Sequence, residues 1–194
     1  MLVKAFIAAT ASLVLGLWLT QRLLTDGGPF DAIQAGPWSL SARAGATDAD
    51  PYTRASLARS GEIPIGIGEG LKLVAKKDDS GRALESHCVY RVGPHAPIAR
   101  YWTLELTDVD GFPVDNPADR YVFRSSEILR EPDGGFAVWV SPATHAGNWL
   151  PNGGARLFAL TLRLYDTAIS GIAGGVDRTA MPAITPIRQF FNML

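Results

Sequence analysis

Most of the chain alternates apolar and polar residues with a period of two, the pattern of half-buried β-strands. The longest such segments are "ARYWTLELTD", with Trp102, Leu104 and Leu106 on one face, and "ARLFALTLRLYD", with Phe158 and Leu160 on one face. Shorter segments of the same kind begin at "WSLSA" and recur along the chain, separated by Gly, Asp and Pro. This succession predicts a mainly β protein, an antiparallel sandwich or barrel, with one or two short helices.

The polar breaks between the apolar segments predict the turns. Asp78–Gly81 lies between two strand patterns and predicts a β-hairpin, and "PDGG" (132–135) predicts the turn between two later strands. The stretch "NWLPNGG" (148–154) precedes the last long strand, and we interpret it as a corner. There, Asn148 shapes the turn, Pro151 fixes φ, and Trp149 closes the end of the core.

The segment "DPYTRASLARSG" predicts a helix whose two ends can be identified. Asp50 is a suitable N-cap, Pro51 fits the first turn, and Gly61 provides a left-handed stop. The glycines that follow in "GIGEG" resemble a phosphate-binding loop only superficially, because no strand pattern precedes them and no helix pattern follows.

The N-terminus contains one apolar run, residues 5–21, between Lys4 and Arg22. Its length is at the lower limit for a membrane-spanning helix. A cleaved signal peptide is the alternative, but Leu and Arg follow the run where a cleavage site would have small residues. We therefore predict an anchor at 1–24, a tether at 25–37 and a folded domain at 38–194. The charges around the run favour an N-terminus inside the cell. In a bacterium the chain would then be a single-pass inner-membrane protein with its domain in the periplasm.

Charge and cysteine content exclude several classes of function. The net charge of −1 and the scattered basic residues argue against nucleic-acid binding. The single cysteine, Cys88, excludes an internal disulfide, and we interpret it as a small buried strand residue. His87, His95 and His145 lack the spacing of a metal site, so we expect neither a metal nor another cofactor, although ligands assembled across loops stay an alternative.

Aromatic and basic residues on or beside the predicted strands are the candidate ligand-binding set. A platform for a sugar or peptide would combine stacking with bidentate hydrogen bonds. The alternative is a core filled by tryptophans and rimmed by arginines. The set is Trp102, Trp149, Arg91, Arg100, Arg163 and Asn148.

Acidic residues are densest between Asp108 and Asp119. A calcium loop is one reading, but the EF-hand spacing fails and turn-forming Asp is the commoner case. Glu105, Asp108 or a loop histidine are candidates for an acid or base, although no local signature of catalysis marks them and the catalytic residues stay unknown.

Three stretches together resemble a known family. They are the region from "DPYTRASLARSG" to "GRAL", the stretch "ARYWTLELTDVDGFPVDNPADRYVFRSSEI", and "GNWLPNGGARLFALTLRLYD". In them the chain resembles the bacterial domain of unknown function (DUF) 1214 family. The resemblance implies a jelly-roll-like antiparallel sandwich, and it implies no catalytic residues. The family often forms the C-terminal half of proteins whose N-terminal half is DUF 1254, so a separate DUF 1254-type protein is an expected partner.

Three functions remain as hypotheses, and the third, after the two that follow, is a structural accessory that binds no ligand. The first is a membrane-anchored binding or interaction module of the envelope that works with a DUF 1254-type partner. The second is an envelope enzyme acting on a carbohydrate or peptidoglycan-like substrate. The enzyme hypothesis requires a cleft that joins a carboxylate to Trp102 or Trp149.

Overall fold

The computed structural model describes residues 1–26, 32–41, 44–66, 68–167 and 177–187. The helices are α1 (Leu2–Asp26) and α2 (Pro51–Ser60), and a 3₁₀ turn covers Arg178–Ala180. The strands are β1 (Ala32–Ala35), β2 (Trp38–Ser41), β3 (Gly70–Ala75), β4 (Val89–Gly93), β5 (Ala99–Asp108), β6 (Val122–Arg124), β7 (Val138–Ser141), β8 (Asn148–Pro151), β9 (Phe158–Thr167) and β10 (Ala183–Ile187).

Helix α1 contains the apolar run of the N-terminus. Its segment Leu2–Arg22 has a mean hydropathy of 2.0, and none of that window is buried against the protein. The helix is therefore long and apolar enough to cross a membrane. A signal sequence has the same properties, so α1 is consistent with a signal as well as with an anchor.

Helix α2 has the two ends that its sequence predicts. The Asp50 carboxylate accepts hydrogen bonds from the backbone N–H groups of Tyr52 and Thr53, at 2.9 and 3.1 Å. Gly61 ends the helix at φ 67°, and its N–H donates to the Leu57 carbonyl. Arg59 on α2 donates to the Gln21 side chain of α1 at 3.4 Å, so the two helices are in contact.

Two sheets form the body of the domain. The six-stranded sheet has the order β1-β2-β3-β9-β5-β6 with antiparallel neighbours, and the four-stranded sheet has the order β10-β4-β7-β8. Within the second sheet, β7 and β8 run parallel, with Trp139 opposite Trp149. The architecture is thus mostly β and mixed rather than purely antiparallel, and a jelly roll is not shown.

One apolar core holds the two sheets together. Tyr90 on β4 meets Phe158 on β9 edge-to-face with ring centroids 5.7 Å apart, and Trp102 on β5 packs on Phe136 at 5.1 Å. Trp38 is fully buried, and its indole N–H donates to the Pro182 carbonyl at 2.8 Å. Such contacts bury large apolar areas, the main favourable contribution to folding.

Three local predictions are wrong in detail. Strands β3 and β4 do not form a hairpin, because β3 joins the six-stranded sheet and β4 the other one. The turn Asp78–Gly81 does form, since the Asp78 carboxylate accepts from the backbone N–H groups of Ser80 and Arg82. The stretch "NWLP" is strand β8 rather than a corner, and the chain turns after it. Strand β1 lies inside the predicted tether and pairs with β2, so the sheet begins before Trp38.

The glycines after α2 have a packing role at one position. Gly70 begins β3 and approaches β9 so closely that a Cβ there would lie 2.2 Å from the Leu164 carbonyl oxygen. Any side chain would therefore push the two strands apart.

Candidate functional site

Asn148, one of the predicted ligand-binding residues, lies buried on β8. Its Oδ1 accepts from the Leu129 N–H at 2.8 Å, and its Nδ2 donates to the carbonyls of Leu129 and Ala137 at 2.8 and 3.0 Å. The side chain thus joins β8 to the β6–β7 connection. These hydrogen bonds give Asn148 a structural role.

The two tryptophans of the predicted set are separated. Trp102 is 4% exposed and packs on Phe136 in the core. Trp149 is half-buried on β8, and its indole N–H donates to the Ser141 carbonyl at 3.1 Å. Core packing accounts for Trp102, and the use of both rings as one stacking platform stays a prediction.

The three predicted arginines each meet an acidic partner, in three different places. Arg91 on β4 lies 3.4 Å from Glu131, and Arg100 on β5 lies 3.8 Å from Asp166. Arg163 on β9 pairs with Glu105 on β5, and both side chains are about one-quarter exposed. The structure therefore does not bring these arginines together.

The acidic segment after β5 forms turns. The Asp108 carboxylate accepts from the N–H groups of Asp110 and Phe112, both at 2.9 Å. Asn116 makes a similar set of bonds to Ala118 and Arg120. This is the turn chemistry that the sequence predicts for these residues.

A cleft of 790 Å³ lies between the β3–β4 connection, the loop after β8 and the end of β10. One wall is formed by residues of the connection, among them Arg82, Glu85, His87 and Cys88, and Pro142, Gly153 and Pro186 contribute to the rest. The volume is in the range of small-molecule sites. Neither Trp102 nor Trp149 lines this cleft.

The backbone of the turn Glu85–Cys88 is held at both ends. The Glu85 N–H donates to the Tyr90 hydroxyl at 2.9 Å, and the Ser86 N–H donates to the Arg156 carbonyl at 3.2 Å. The Cys88 N–H donates to the Glu85 carbonyl at 3.1 Å, and the Cys88 carbonyl accepts from Asn152 Nδ2 at 3.0 Å. The backbone bonds fix the turn without using the side chains of Glu85, His87 or Cys88.

These three side chains converge at the edge of the cleft. His87 Nε2 lies 3.2 Å from Glu85 Oε2, and one ligand atom of each of Glu85, His87 and Cys88 lies within 4.8 Å of the others. The imidazole is 74% exposed and the carboxylate 42%. Cys88 is half-buried. A carboxylate, an imidazole and a thiol at such distances form a set of metal-ligand type.

Tyr90 forms the inner side of this turn. Burial raises the pKa of its hydroxyl to about 12, and the adjacent Cys88 thiol adds to the rise. The phenol is consequently neutral across the physiological range, and its oxygen accepts the Glu85 N–H as a fixed structural bond. The Tyr90 hydroxyl thus holds the Glu85 end of the turn in place.

Sequence reasoning missed this cluster. It compared only His–His spacings and placed Cys88 inside a strand, whereas Cys88 lies in the bend before β4. The available signal was the local run Glu85-Ser86-His87-Cys88, which puts three ligand types within four residues. His145 is also exposed, but it lies outside this cluster and stacks on Trp139 with ring centroids 4.0 Å apart.

Comparison with known proteins finds a family and solved structures whose descriptions name no activity. A family model described as "Protein of unknown function (DUF1214)" matches residues 69–169. No curated protein matches the chain.

Two solved structures are among those similar to this chain. The VPA0106 protein from Vibrio parahaemolyticus is 18% identical with a TM-score of 0.59, and the match covers 95% of this chain and 46% of that one. An uncharacterised protein from Burkholderia cenocepacia is 20% identical with a TM-score of 0.40, covering 75% of this chain and 47% of that one. The chain thus spans about half the length of these neighbours.

Proposed function

The chain belongs to the DUF1214 family, and from that premise we propose that it is a membrane-anchored module of the bacterial envelope that binds a DUF 1254-type partner protein. In this proposal α1 is a single-pass inner-membrane anchor through residues 5–21, and the domain faces the periplasm. The apolar length of α1 supports the anchor.

The observation that carries the proposal is a pair of exposed isoleucines at one end of the six-stranded sheet. Ile63 is 90% exposed and Ile98 is 88% exposed. Ile98 directly precedes β5, where Ala99 pairs with Thr167 at the end of β9. Large apolar side chains with nearly all of their surface in solvent are candidates for contacting a partner protein.

Ile63 lies at the same end of that sheet. Its neighbour Glu62 forms an ion pair of 2.5 Å with Lys72 on β3, and the Ile65 side chain lies beside Gly70, the first residue of β3. Gly70 pairs with Tyr165 on β9, which in turn pairs with Tyr101 on β5. The beginnings of β3 and β5 and the end of β9 therefore form one end of the domain.

The similarity to the VPA0106 structure supports the proposal that this domain binds a partner chain. In the VPA0106 protein this fold corresponds to less than half of a longer chain. A fold that occurs beside further protein in one chain is a reasonable candidate for binding a separate chain. The DUF 1254 type of the partner rests on the family resemblance alone.

A pull-down from mild-detergent membranes tests the proposal. Tagged wild-type protein is expected to recover a DUF 1254-type chain in stoichiometric yield, identified by mass spectrometry. The double variant Ile63→Ser, Ile98→Ser should lose most of that partner, because two apolar anchors are removed. Phe112→Ser is the matched control, since Phe112 is 64% exposed in the turn at the other end of β5.

Two results would contradict the proposal. One is a wild-type protein that recovers no partner chain. The other is equal recovery by the double isoleucine variant and the wild type, which would move the contact surface elsewhere.

The enzyme hypothesis lacks its required geometry at the cleft. Glu105 is paired with Arg163 on the sheet, and Asp108 shapes a turn. Neither residue lines the cleft of 790 Å³. The loop histidine His87 does line it, beside Glu85, but neither Trp102 nor Trp149 does, and the hypothesis requires one of them. Because no specific contact of the described residues favours a carbohydrate-cleaving reaction, we propose the binding function.

A further inference from the structure

We infer that the turn Glu85–Cys88 is a binding site for one divalent transition-metal ion, Zn²⁺ by its ligand set. The ligands are a carboxylate oxygen of Glu85, a ring nitrogen of His87 and the thiolate of Cys88. The site is independent of the isoleucine surface described above. Its remaining coordination position faces the cleft, because all three residues line that cleft.

The distances suit a metal ion after a small adjustment. Zn²⁺ binds thiolate at about 2.3 Å and imidazole or carboxylate at about 2.0–2.2 Å. Two tetrahedral ligands at such lengths are roughly 3.3 Å apart, and His87 Nε2 and Glu85 Oε2 are 3.2 Å apart. The three ligand atoms all lie within 4.8 Å of one another. A small rotation of the exposed side chains is therefore enough to bring all three to the distances of a bound ion.

The backbone makes the turn a preorganised site. Tyr90 and Arg156 hold its first half, and Asn152 holds the Cys88 carbonyl. A metal site needs ligands whose supporting residues are already fixed. The side chains of His87 and Glu85 are exposed to solvent, and the half-buried Cys88 lies on the inner side of the set, next to Tyr90.

Asn152 adds an independent observation beside the turn. The residue is fully buried, and its Nδ2 binds the Cys88 carbonyl. Its Oδ1 is buried without a hydrogen-bonding partner among the described residues. Buried acceptors of this kind are rare in proteins, and the donor to Asn152 Oδ1 lies outside the described residues, for example an ordered water beside the turn.

The chemistry of the ligands selects the class of metal. Thiolate and imidazole favour Zn²⁺ and its neighbours in the first transition row, whereas Mg²⁺ and Ca²⁺ take oxygen ligands almost exclusively. When the ion binds, the Cys88 thiol releases its proton to solvent and the sulfur becomes the metal ligand. Three protein ligands with one open position are typical of sites that bind a further small ligand.

Cobalt is the direct probe. The full-length protein in mild detergent, carrying a tag without histidines, is stripped with chelator and titrated with Co²⁺, which reports a thiolate ligand by near-ultraviolet charge-transfer absorption. We expect one Co²⁺ per chain, displaced by Zn²⁺. Cys88→Ser should abolish the charge-transfer band, and His87→Ala and Glu85→Gln should each weaken binding about tenfold or more.

The controls separate this site from general binding to surface histidines. His145→Ala and His95→Ala remove histidines outside the turn and should leave the titration unchanged. Far-ultraviolet circular dichroism of each variant verifies the fold. A wild-type protein without the charge-transfer band, or binding that persists in Cys88→Ser with unchanged affinity, would overturn the proposal.

Discussion

Two polar regions of the domain differ in how their side chains are used. Asn148 on β8 is buried, and both of its amide atoms bind backbone groups of Leu129 and Ala137. In the Glu85–Cys88 turn the backbone makes the structural bonds, while the carboxylate, imidazole and thiol converge at a cleft.

The difference separates scaffold from candidate site. A buried polar side chain whose hydrogen-bonding capacity is satisfied by backbone groups is explained by folding. A group of ligand-type side chains held together by other residues' bonds has no such explanation. From the sequence alone, residues of either region could belong to a binding site. Only their contacts in the folded protein show which region is structural.

The largest expected effect is at Asn148. Asn148→Ala leaves the N–H of Leu129 and the carbonyls of Leu129 and Ala137 without their partner, and should lower the free energy of unfolding by about 2–3 kcal/mol. Urea unfolding followed by tryptophan fluorescence measures this change.

Asn116→Ala is the matched control for that experiment. Asn116 also bonds backbone groups through both amide atoms, at Val114, Ala118 and Arg120. Because its loop is largely exposed, water replaces the lost bonds, and we expect a cost of about 1 kcal/mol or less. Equal losses at the two positions would remove the distinction based on burial.

A smaller effect is expected for the ion pair between Arg163 and Glu105. The two residues lie on adjacent strands, diagonal to each other in the β5–β9 register. Both side chains are about one-quarter exposed, so solvent screens the pair, and a double-mutant cycle with Arg163→Met and Glu105→Gln should give a coupling of about 1 kcal/mol or less. A coupling several times larger would show that the pair is a major support of the sheet.

The cap of α2 should make a small, pH-dependent contribution. Hydrogen bonds from the Thr53 side chain, and then from backbone N–H groups, lower the pKa of Asp50 below its ordinary value of 3.8. Because the folded pKa is the lower one, the added stability is present above the unfolded value and is lost as the pH falls through the folded value.

Asp50→Asn tests that linkage, since Asn is an equally good N-cap without a charge. The difference in unfolding midpoint between the wild type and this variant should shrink as the pH is lowered from 5 to about 2. A difference that stays constant over that range would show that the carboxylate is not stabilised in its charged form.

The smallest stability effect is expected in the turn itself. His87→Ala removes a side chain that is 74% exposed and makes no backbone bond in the described contacts. In metal-free protein the free energy of unfolding should change by no more than about 0.5 kcal/mol. A loss comparable to that of Asn148→Ala would place His87 in the scaffold.

The sequence was sufficient for elements whose signals are local. The caps of α2 are determined by Asp50 and Gly61 themselves, and the burial of Phe158, Leu160 and Leu162 follows from the alternation along β9. The burial of Ala159 and Thr161 does not follow from that alternation, because the second face of β9 is also covered in the folded chain.

Pairing between distant segments was beyond local reasoning. Strands β3 and β4 flank a good turn yet join different sheets, and "NWLP" becomes a strand because β7 lies parallel to it. The cleft depends on residues as distant as Cys88, Gly153 and Pro186. The local Glu-Ser-His-Cys run was visible in the sequence, but its fixed backbone depends on Tyr90, Asn152 and Arg156.

The most direct test of the distinction between scaffold and site is the effect of Zn²⁺ on unfolding, measured for the full-length wild type, Asn148→Ala and Cys88→Ser. An ion bound only to the folded state at 100 times its dissociation constant stabilises that state by about 2.7 kcal/mol. We predict the same gain in the wild type and in Asn148→Ala, despite the lower starting stability of the variant, and almost none in Cys88→Ser. No gain in the wild type, or an equal gain in Cys88→Ser, would contradict the assignment of the turn as a metal site.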